Sequence, residues 1–232
     1  MKFCILHEDL GRLRSKITYE YDHVWGTLVV PIDEPRNKSR LISDFKFLAE
    51  NFFNHPQYLK IDGKYFVQFD VDRHWIGDIE SVIRDLRNEM EKEGYELYLV
   101  GNILGRYFPN APYDALEPRN RQIVRSMDAI SAHSNMWNYG NEEARKNFPK
   151  FVKNLYDRWY SYATRFNPEI DLITNIMPGE EIHPLGVTDP YYVPLKRSPN
   201  LLRELSQLAF EYTGRKRRIW KVSAFNEWGY GM

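Results

Sequence analysis

Short runs of β-branched and aromatic residues alternate along this chain with longer stretches in which apolar residues recur every three or four positions. We predict six strands, at residues 2–7, 65–70, 95–100, 127–132, 171–176 and 219–225. Strands that alternate with helices pair in parallel through right-handed crossovers. The pattern therefore predicts an α/β fold, either a doubly wound sheet or a (β/α) barrel. With no interdomain linker or internal repeat, the 232 residues are expected to form a single domain, 1–232.

Four stretches between the predicted strands have the apolar period of an amphipathic helix. This spacing covers residues 41–53 and 79–90. A third helix is predicted to begin near Pro149, because proline is tolerated in a first turn, and a fourth covers residues 201–212 before Gly214, a typical residue after a helix end. Residues 119–125 have a less regular helical pattern.

Charge and composition exclude several classes of protein. The 32 Lys and Arg residues balance 32 Asp and Glu residues, whereas a non-specific nucleic-acid binder needs a basic excess. A single cysteine, Cys4, excludes an intrachain disulfide framework. The six histidines are scattered and no phosphate-binding glycine loop occurs, so we expect no metal and no cofactor.

The apolar segments are short. No window reaches 18 apolar residues, so we expect no membrane partner, and the apolar start after Lys2 is too short for the core of a signal peptide. If Met1 is the true start, a cytoplasmic location is expected.

Polar side chains follow every predicted strand at its carboxyl end. Both candidate folds bind ligands at that end of their strands. We therefore predict that the following residues line a cleft: Glu8, Asp70, Asp72, Asn102, His133, Asn135, Glu180, Glu181, Asn226 and Glu227. The indoles of Trp75, Trp137 and Trp228 are expected beside them.

Such a lining fits a polyhydroxylated ligand. Carboxylates and amides bind hydroxyl groups, and aromatic faces stack on the apolar face of a sugar ring. Polar residues also occur in loops that bind nothing, so each position has a structural explanation too. A surface turn accounts equally well for Glu180 and Glu181, which follow Pro178 and Gly179.

Cleavage of a glycosidic bond generally requires two carboxyl groups, one as acid and one as base or nucleophile. Glu227 is the strongest candidate, because it directly follows the apolar end of the last predicted strand and stands between Asn226 and Trp228.

Four segments, at residues 3–8, 55–67, 127–131 and 222–231, resemble the glycoside hydrolase family 99 and WbsX-like proteins. The most specific pieces are HPQYLKIDGK from His55 and FNEWGYG from Phe225. The resemblance implies a (β/α)8 barrel that acts on α-mannosides or on cell-surface polysaccharide.

In that family the terminal motif reads Asn-Glu-Trp, one residue, then a second Glu. The resemblance assigns the first Glu, thought to assist the sugar 2-hydroxyl, to Glu227, and places Tyr230 where the family has its acid/base Glu. A phenol with a pKa near 10 is a poor proton donor at neutral pH. An active enzyme would then take its acid from Glu8, Asp72 or Glu181. The alternatives are a catalytically degenerate carbohydrate-binding domain and a structural remnant.

The resemblance also implies an incomplete barrel, because it begins at the family's third strand. Six strands do not close an eight-stranded barrel, and an open edge tends to pair. We expect this edge to bind a second copy of the chain, or to gain pairing from residues 27–30.

Overall fold

The computed structural model describes residues 2–7, 13, 15–18, 27–69, 74–102, 113–131, 147–176, 198–213 and 217–222. The strands are β1 (Ile5–His7), β2 (Lys16–Thr18), β3 (Thr27–Pro31), β4 (Lys60–Ile61), β5 (Lys64–Phe69), β6 (Trp75–Ile76), β7 (Leu97–Asn102), β8 (Ala129–Ser131), β9 (Asp171–Ile176) and β10 (Trp220–Val222). The helices are α1 (Pro35–Leu48), which continues into a π-helical turn (Ala49–Phe53), α2 (Ile79–Lys92), α3 (Tyr113–Ser126), α4 (Phe148–Phe166) and α5 (Pro199–Tyr212).

The chain divides into two compact units. The first comprises Met1–Ile103 and Tyr113–Ile130, and the second comprises Leu104–Pro112 and Ser131–Met232. Whether they form the single domain expected from the sequence stays a prediction.

Parallel strands form the main sheet of the first unit, in the order β1, β5, β7, β8. Ile5 of β1 lies opposite Val67 of β5. β4 pairs antiparallel with β5 across a two-residue turn, in which Asp62 and Gly63 both have positive φ angles, 50° and 82°. An Asp-Gly pair suits such a turn because both of its central residues are left-handed.

A separate three-stranded sheet, in the order β2, β3, β6, also belongs to the first unit. β3 pairs antiparallel with β2 and parallel with β6. The expected strand near residues 27–30 therefore exists, but it belongs to this small sheet and not to the edge of the main one.

The helices of the first unit cover the sheet with the predicted apolar stripes. In α2 the N-cap Asp78 accepts a hydrogen bond from the Ser81 amide at 3.0 Å, which satisfies a first-turn donor. The buried residues of this helix recur at helical spacing: Ile79, Val82, Ile83, Leu86 and Met90. In α1 and its π-helical turn the buried apolar residues are Leu41, Phe45, Leu48, Ala49 and Phe53. Both predicted helices are confirmed.

The second unit contains β9 and β10, which pair in parallel, with α4 and α5. β9 spans the predicted residues 171–176, and every side chain in it is buried. A strand that is covered on both faces has a nearly continuous apolar sequence and not an alternating one. Asn147 caps α4 by accepting from the Lys150 amide at 3.1 Å, with Pro149 in the first turn as predicted.

The main difference from the predicted helices is α3, which begins at Tyr113 and not near residue 119. Pro118 lies inside it, and a proline removes one backbone hydrogen bond. Because proline usually ends a helix, the first half of α3 was not predicted from the sequence. No helix in the described residues is long and apolar enough to cross a membrane.

Candidate functional site

The carboxyl ends of the parallel strands in the first unit carry buried polar side chains. His7 ends β1 and lies opposite Phe69, which ends β5. Asn102 ends β7, and its side chain has no exposed surface. Because parallel α/β sheets bind ligands at this end, it is the candidate site of this unit.

The His7 imidazole is 7% exposed and faces α1. Its Nε2 lies 3.5 Å from Oδ2 of Asp44, a carboxylate that is buried as well, and Arg40 Nε lies 3.3 Å from the other oxygen, Oδ1. The ring also packs against Phe45 and Phe69, with centroids 5.7 and 5.6 Å away. Neither ring nitrogen makes a hydrogen bond within the described residues.

Asn102 is a predicted site residue within the described part of the chain. It lies at the carboxyl end of its strand as predicted. A fully buried amide is generally hydrogen-bonded to the protein, so Asn102 is part of the packing at this strand end. Its contact with a ligand stays a prediction.

Apart from Trp75, the other predicted site residues lie outside the described residues, so their positions stay predictions. They are Glu8, Asp70, Asp72, His133, Asn135, Trp137, Glu180, Glu181, Asn226, Glu227, Trp228 and Tyr230.

Trp75 is not exposed in a cleft as predicted. Its side chain is fully buried, and its ring meets Phe69 edge-on with centroids 4.8 Å apart. The prediction was wrong because Trp75 lies in a strand of the small sheet, where a large apolar ring is buried by packing.

Buried polar groups also occur near the carboxyl end of β9 in the second unit. The Tyr156 hydroxyl donates to the Asn175 carbonyl oxygen at 2.7 Å and accepts from the Asn175 amide at 3.2 Å. Ser131 Oγ donates to the Ile173 carbonyl oxygen at 3.0 Å. Sequence reasoning missed this network. The only pointer to it in the sequence is the polar pair Thr174-Asn175 inside an apolar run.

Two surface grooves lie between helices, away from these strand ends. One, of about 250 Å³, is lined by Glu80, Arg84, Arg87, Asn88 and Arg125 of α2 and α3. The other, of about 330 Å³, is lined by Lys150, Lys153, Glu204, Gln207 and Glu211 of α4 and α5. Both grooves are open and carry charges of both signs.

Shifted ionisation in the second unit concentrates at an exposed contact between α4 and α5. The Tyr212 hydroxyl donates to Asp157, which lowers the pKa of that carboxyl, and Lys153 Nζ donates to both residues at 2.9 Å. Burial, followed by the bond to Asp157, raises the pKa of Tyr212. The hydrogen bonds to Tyr212 and Asp157 raise the pKa of Lys153. These shifts arise from a contact between helices and not from a strand-end site.

In the part of the chain that the structure describes, no group of three His, Cys, Asp or Glu side chains is arranged to hold a metal ion. The expectation that the protein uses no metal or cofactor stays a prediction.

The comparisons with known proteins bear on the fold. No protein-family model matches the chain, and no curated protein matches it significantly. Among solved structures, a glycoside hydrolase-like protein is 20% identical with a TM-score of 0.70, over 85% of this chain and 54% of that one. The GH99 endo-alpha-mannosidase from Bacteroides thetaiotaomicron is 12% identical with a TM-score of 0.58, over 99% of this chain and 55% of that one.

These likenesses confirm the predicted fold class, an incomplete TIM-barrel-like α/β fold, and confirm the family 99 resemblance at the level of fold. The chain spans about half the length of the solved structures that it matches.

Proposed function

We propose that this protein is glycoside hydrolase-like and that its ligand is a carbohydrate, an α-mannoside or a cell-surface polysaccharide. The observation that carries the proposal is the structural likeness to a glycoside hydrolase-like protein and to the GH99 endo-alpha-mannosidase. The buried polar residues His7 and Asn102 at the carboxyl ends of strands support the same location for the site.

In this proposal Glu227 is the key carboxylate, as the resemblance of the Asn226-Glu227-Trp228 motif to family 99 implies. It acts as base or as a stabiliser of the reacting sugar. Glu8, Asp72 or Glu181 supplies the acid in place of Tyr230, because two carboxyl groups are needed. Asn226, Trp228 and the remaining predicted cleft residues hold the sugar.

The alternative is a carbohydrate-binding domain without catalysis. The tyrosine at position 230 favours it, since loss of an acid/base group typically costs about 10² to 10⁴ in rate. Binding without turnover identifies this alternative, and absence of both points to the structural remnant.

The test is to titrate the purified protein with α-mannan oligosaccharides by calorimetry and to assay the same mixtures for released reducing sugar. We expect binding at millimolar concentration or better, and a loss of any turnover in Glu227→Gln. Glu80→Gln, a half-buried glutamate in a groove between helices, is the control and should behave like the wild type. Turnover that persists in Glu227→Gln contradicts the proposed role of Glu227.

We also propose that the chain forms a homo-oligomer through a sheet edge. β10 is the last strand in the sheet order, and it exposes Trp220 (40%) and Val222 (41%) beside Phe210 (56%). Exposed apolar edge strands tend to pair with other strands. Light scattering that gives a monomer mass at working concentration contradicts the oligomer.

A cytoplasmic location stays a prediction that cell fractionation tests.

A further inference from the structure

The groove between α2 and α3 is rich in arginine. It encloses about 250 Å³, and its lining residues on α2 recur at helical spacing: Glu80, Ile83, Arg84, Arg87 and Asn88. Arg125 and Ser126 line it from α3. Three guanidinium groups therefore lie along one groove, and among the described residues that line it only Glu80 is acidic.

Arg87 is held in this groove by the protein itself. It donates to the carbonyl oxygens of Leu97 and Ser126 and to Asp128 Oδ2, at 2.8, 3.1 and 2.7 Å. A guanidinium has five N–H groups, so these three bonds leave two N–H groups without an acceptor in the described part of the chain. Because the three bonds fix the guanidinium, its remaining donors lose little entropy when a ligand accepts from them.

Arg84 lies one turn before Asn88 on α2, and both residues are exposed. Its Nη2 donates to the neutral Ser81 hydroxyl at 3.0 Å, and among the described residues no carboxylate forms an ion pair with it. The adjacent Asp85 is hydrogen-bonded to Lys38, which is the main cause of the lowered pKa of that carboxyl. Donors of Arg84 and the Asn88 amide are therefore available to a ligand.

The charges around the groove leave a positive balance. Arg87 is paired with Asp128, and Arg125 Nη1 lies 3.6 Å from Glu80 Oε1. Three arginines face these two carboxylates, so one positive charge remains, and Arg84 carries it. The contact of Glu80 with Arg125 shows that a carboxylate fits against this groove.

We propose that the groove binds a small oxyanion, a carboxylate or a phosphate group, which accepts hydrogen bonds from Arg84, Arg87 and Asn88. Guanidinium groups bind both oxyanions through paired N–H donors, and such charge-assisted bonds are stronger than neutral ones. The groove lies between helices, so this inference does not rest on the proposed function of the strand ends. An acidic sugar and a phosphate are the two sources of this chemistry, and the test distinguishes them.

The competing explanation is that these arginines only stabilise and solvate the helices. Arg84→Gln distinguishes the two, because an exposed bond to Ser81 contributes little to stability. The matched control is Arg203→Gln on α5, since Arg203 is also exposed and donates to a neutral side chain three residues earlier, Asn200, at 3.3 Å. Both variants remove one positive charge, but Arg203 does not line this groove.

The whole protein is titrated with phosphate, galacturonate and galactose at constant ionic strength, and ¹H–¹⁵N spectra follow the backbone amides of residues 83–88. We expect saturable shifts with phosphate, galacturonate or both at millimolar concentration, and none with galactose, which lacks the carboxylate. The dissociation constant should rise about tenfold in Arg84→Gln and stay unchanged in Arg203→Gln. It should rise less in Arg84→Lys, which keeps the charge but loses the paired donors.

The anion that saturates the shifts identifies the source: phosphate alone indicates a phosphate site, galacturonate alone an acidic-sugar site, and both a general oxyanion site. The proposal is overturned if neither anion gives saturable shifts, if galactose shifts the same amides, or if Arg84→Gln and Arg203→Gln bind the anion equally well. If Arg84→Gln does not fold, Arg84→Lys compared with Arg203→Lys decides in the same way. No α-mannan enters these titrations, so failure of the proposed carbohydrate function leaves their outcome unaffected.

Discussion

Arg87 and Asp128 connect α2 to the turn that precedes β8. Arg87 Nη2 lies 2.7 Å from Asp128 Oδ2, and the same oxygen accepts the Leu99 amide of β7 at 2.8 Å. Arg87 also donates to the carbonyl oxygens of Leu97 and Ser126, at 2.8 and 3.1 Å. One side chain thus satisfies acceptors at the end of α3 and at the start of β7.

Arg87→Ala should lower the free energy of unfolding by about 2 kcal/mol, because it leaves partly buried acceptors without their donor. Urea denaturation monitored by circular dichroism measures this. Arg84→Ala is the control on the same helix, since within the described residues Arg84 donates to the Ser81 hydroxyl at the surface, and its effect should stay within about 0.5 kcal/mol. Equal effects of the two variants contradict the structural role of Arg87.

Gly77→Ala should be strongly destabilising. Gly77 has φ +94°, and an added Cβ would lie 2.1 Å from Oδ1 of Asp33, whose other oxygen accepts the Asp78 amide at 3.0 Å before α2. We expect a loss of about 2 to 3 kcal/mol from strain and displacement together.

Gly94→Ala distinguishes the cost of backbone strain from the cost of displacing Asp33. Gly94 has φ +86° and nothing within 4 Å of an added Cβ, so only the backbone cost of about 1 kcal/mol applies. Thermal unfolding of both variants gives the difference. A Gly94→Ala loss as large as that of Gly77→Ala would show that Asp33 contributes nothing.

Tyr212→Phe should remove a pH-dependent part of the stability of the second unit. The bond from Tyr212 lowers the folded-state pKa of Asp157, so its contribution is present above the unfolded value near 3.9 and is lost as pH falls through the folded value. The folded-state pKa of Tyr212 is raised, so its contribution is present below about pH 10 and is lost as pH rises further.

The difference between wild type and Tyr212→Phe should therefore be largest between pH 5 and 9, at about 0.5 to 1 kcal/mol for so exposed a contact. Chemical denaturation over pH 3 to 11 measures it. Asp157→Asn should lower the free energy of unfolding by a similar amount. In that variant the loss at acid pH that comes from titration of Asp157 should disappear. A difference that does not vary with pH would contradict the assignment.

Tyr230→Glu tests whether the scaffold still places a substrate. The change supplies the second terminal Glu that the resemblance to family 99 implies, so under the proposed function hydrolysis of α-mannan oligosaccharides should appear or rise. The reducing-sugar assay measures it, with Tyr95→Glu, a residue that is not in the motif, as the control. A rise in the control as well would mean that added charge, and not position, is responsible.

The helical and strand periods were readable in the sequence because they follow from local geometry. The stripe of α2 and the apolar run of β9 were predicted at nearly their observed bounds. α3 was predicted only in its second half because Pro118 interrupts the pattern. Of the predicted cleft residues in the described part of the chain, Asn102 does lie at a strand end, whereas Trp75 is buried.

The amino-acid sequence by itself determined the alternation of strands and helices, and thereby the parallel α/β class, because hydrophobic period and capping act over a few residues. Only the tertiary structure decided that Trp75 fills the core, that residues 27–31 pair in a separate sheet, and that His7 lies opposite Asp44. These outcomes depend on contacts between residues far apart in the sequence, such as the pairing of Val30 with Trp75. Local sequence patterns do not predict such contacts, because side-chain packing and strand pairing depend on how whole helices and strands fit together.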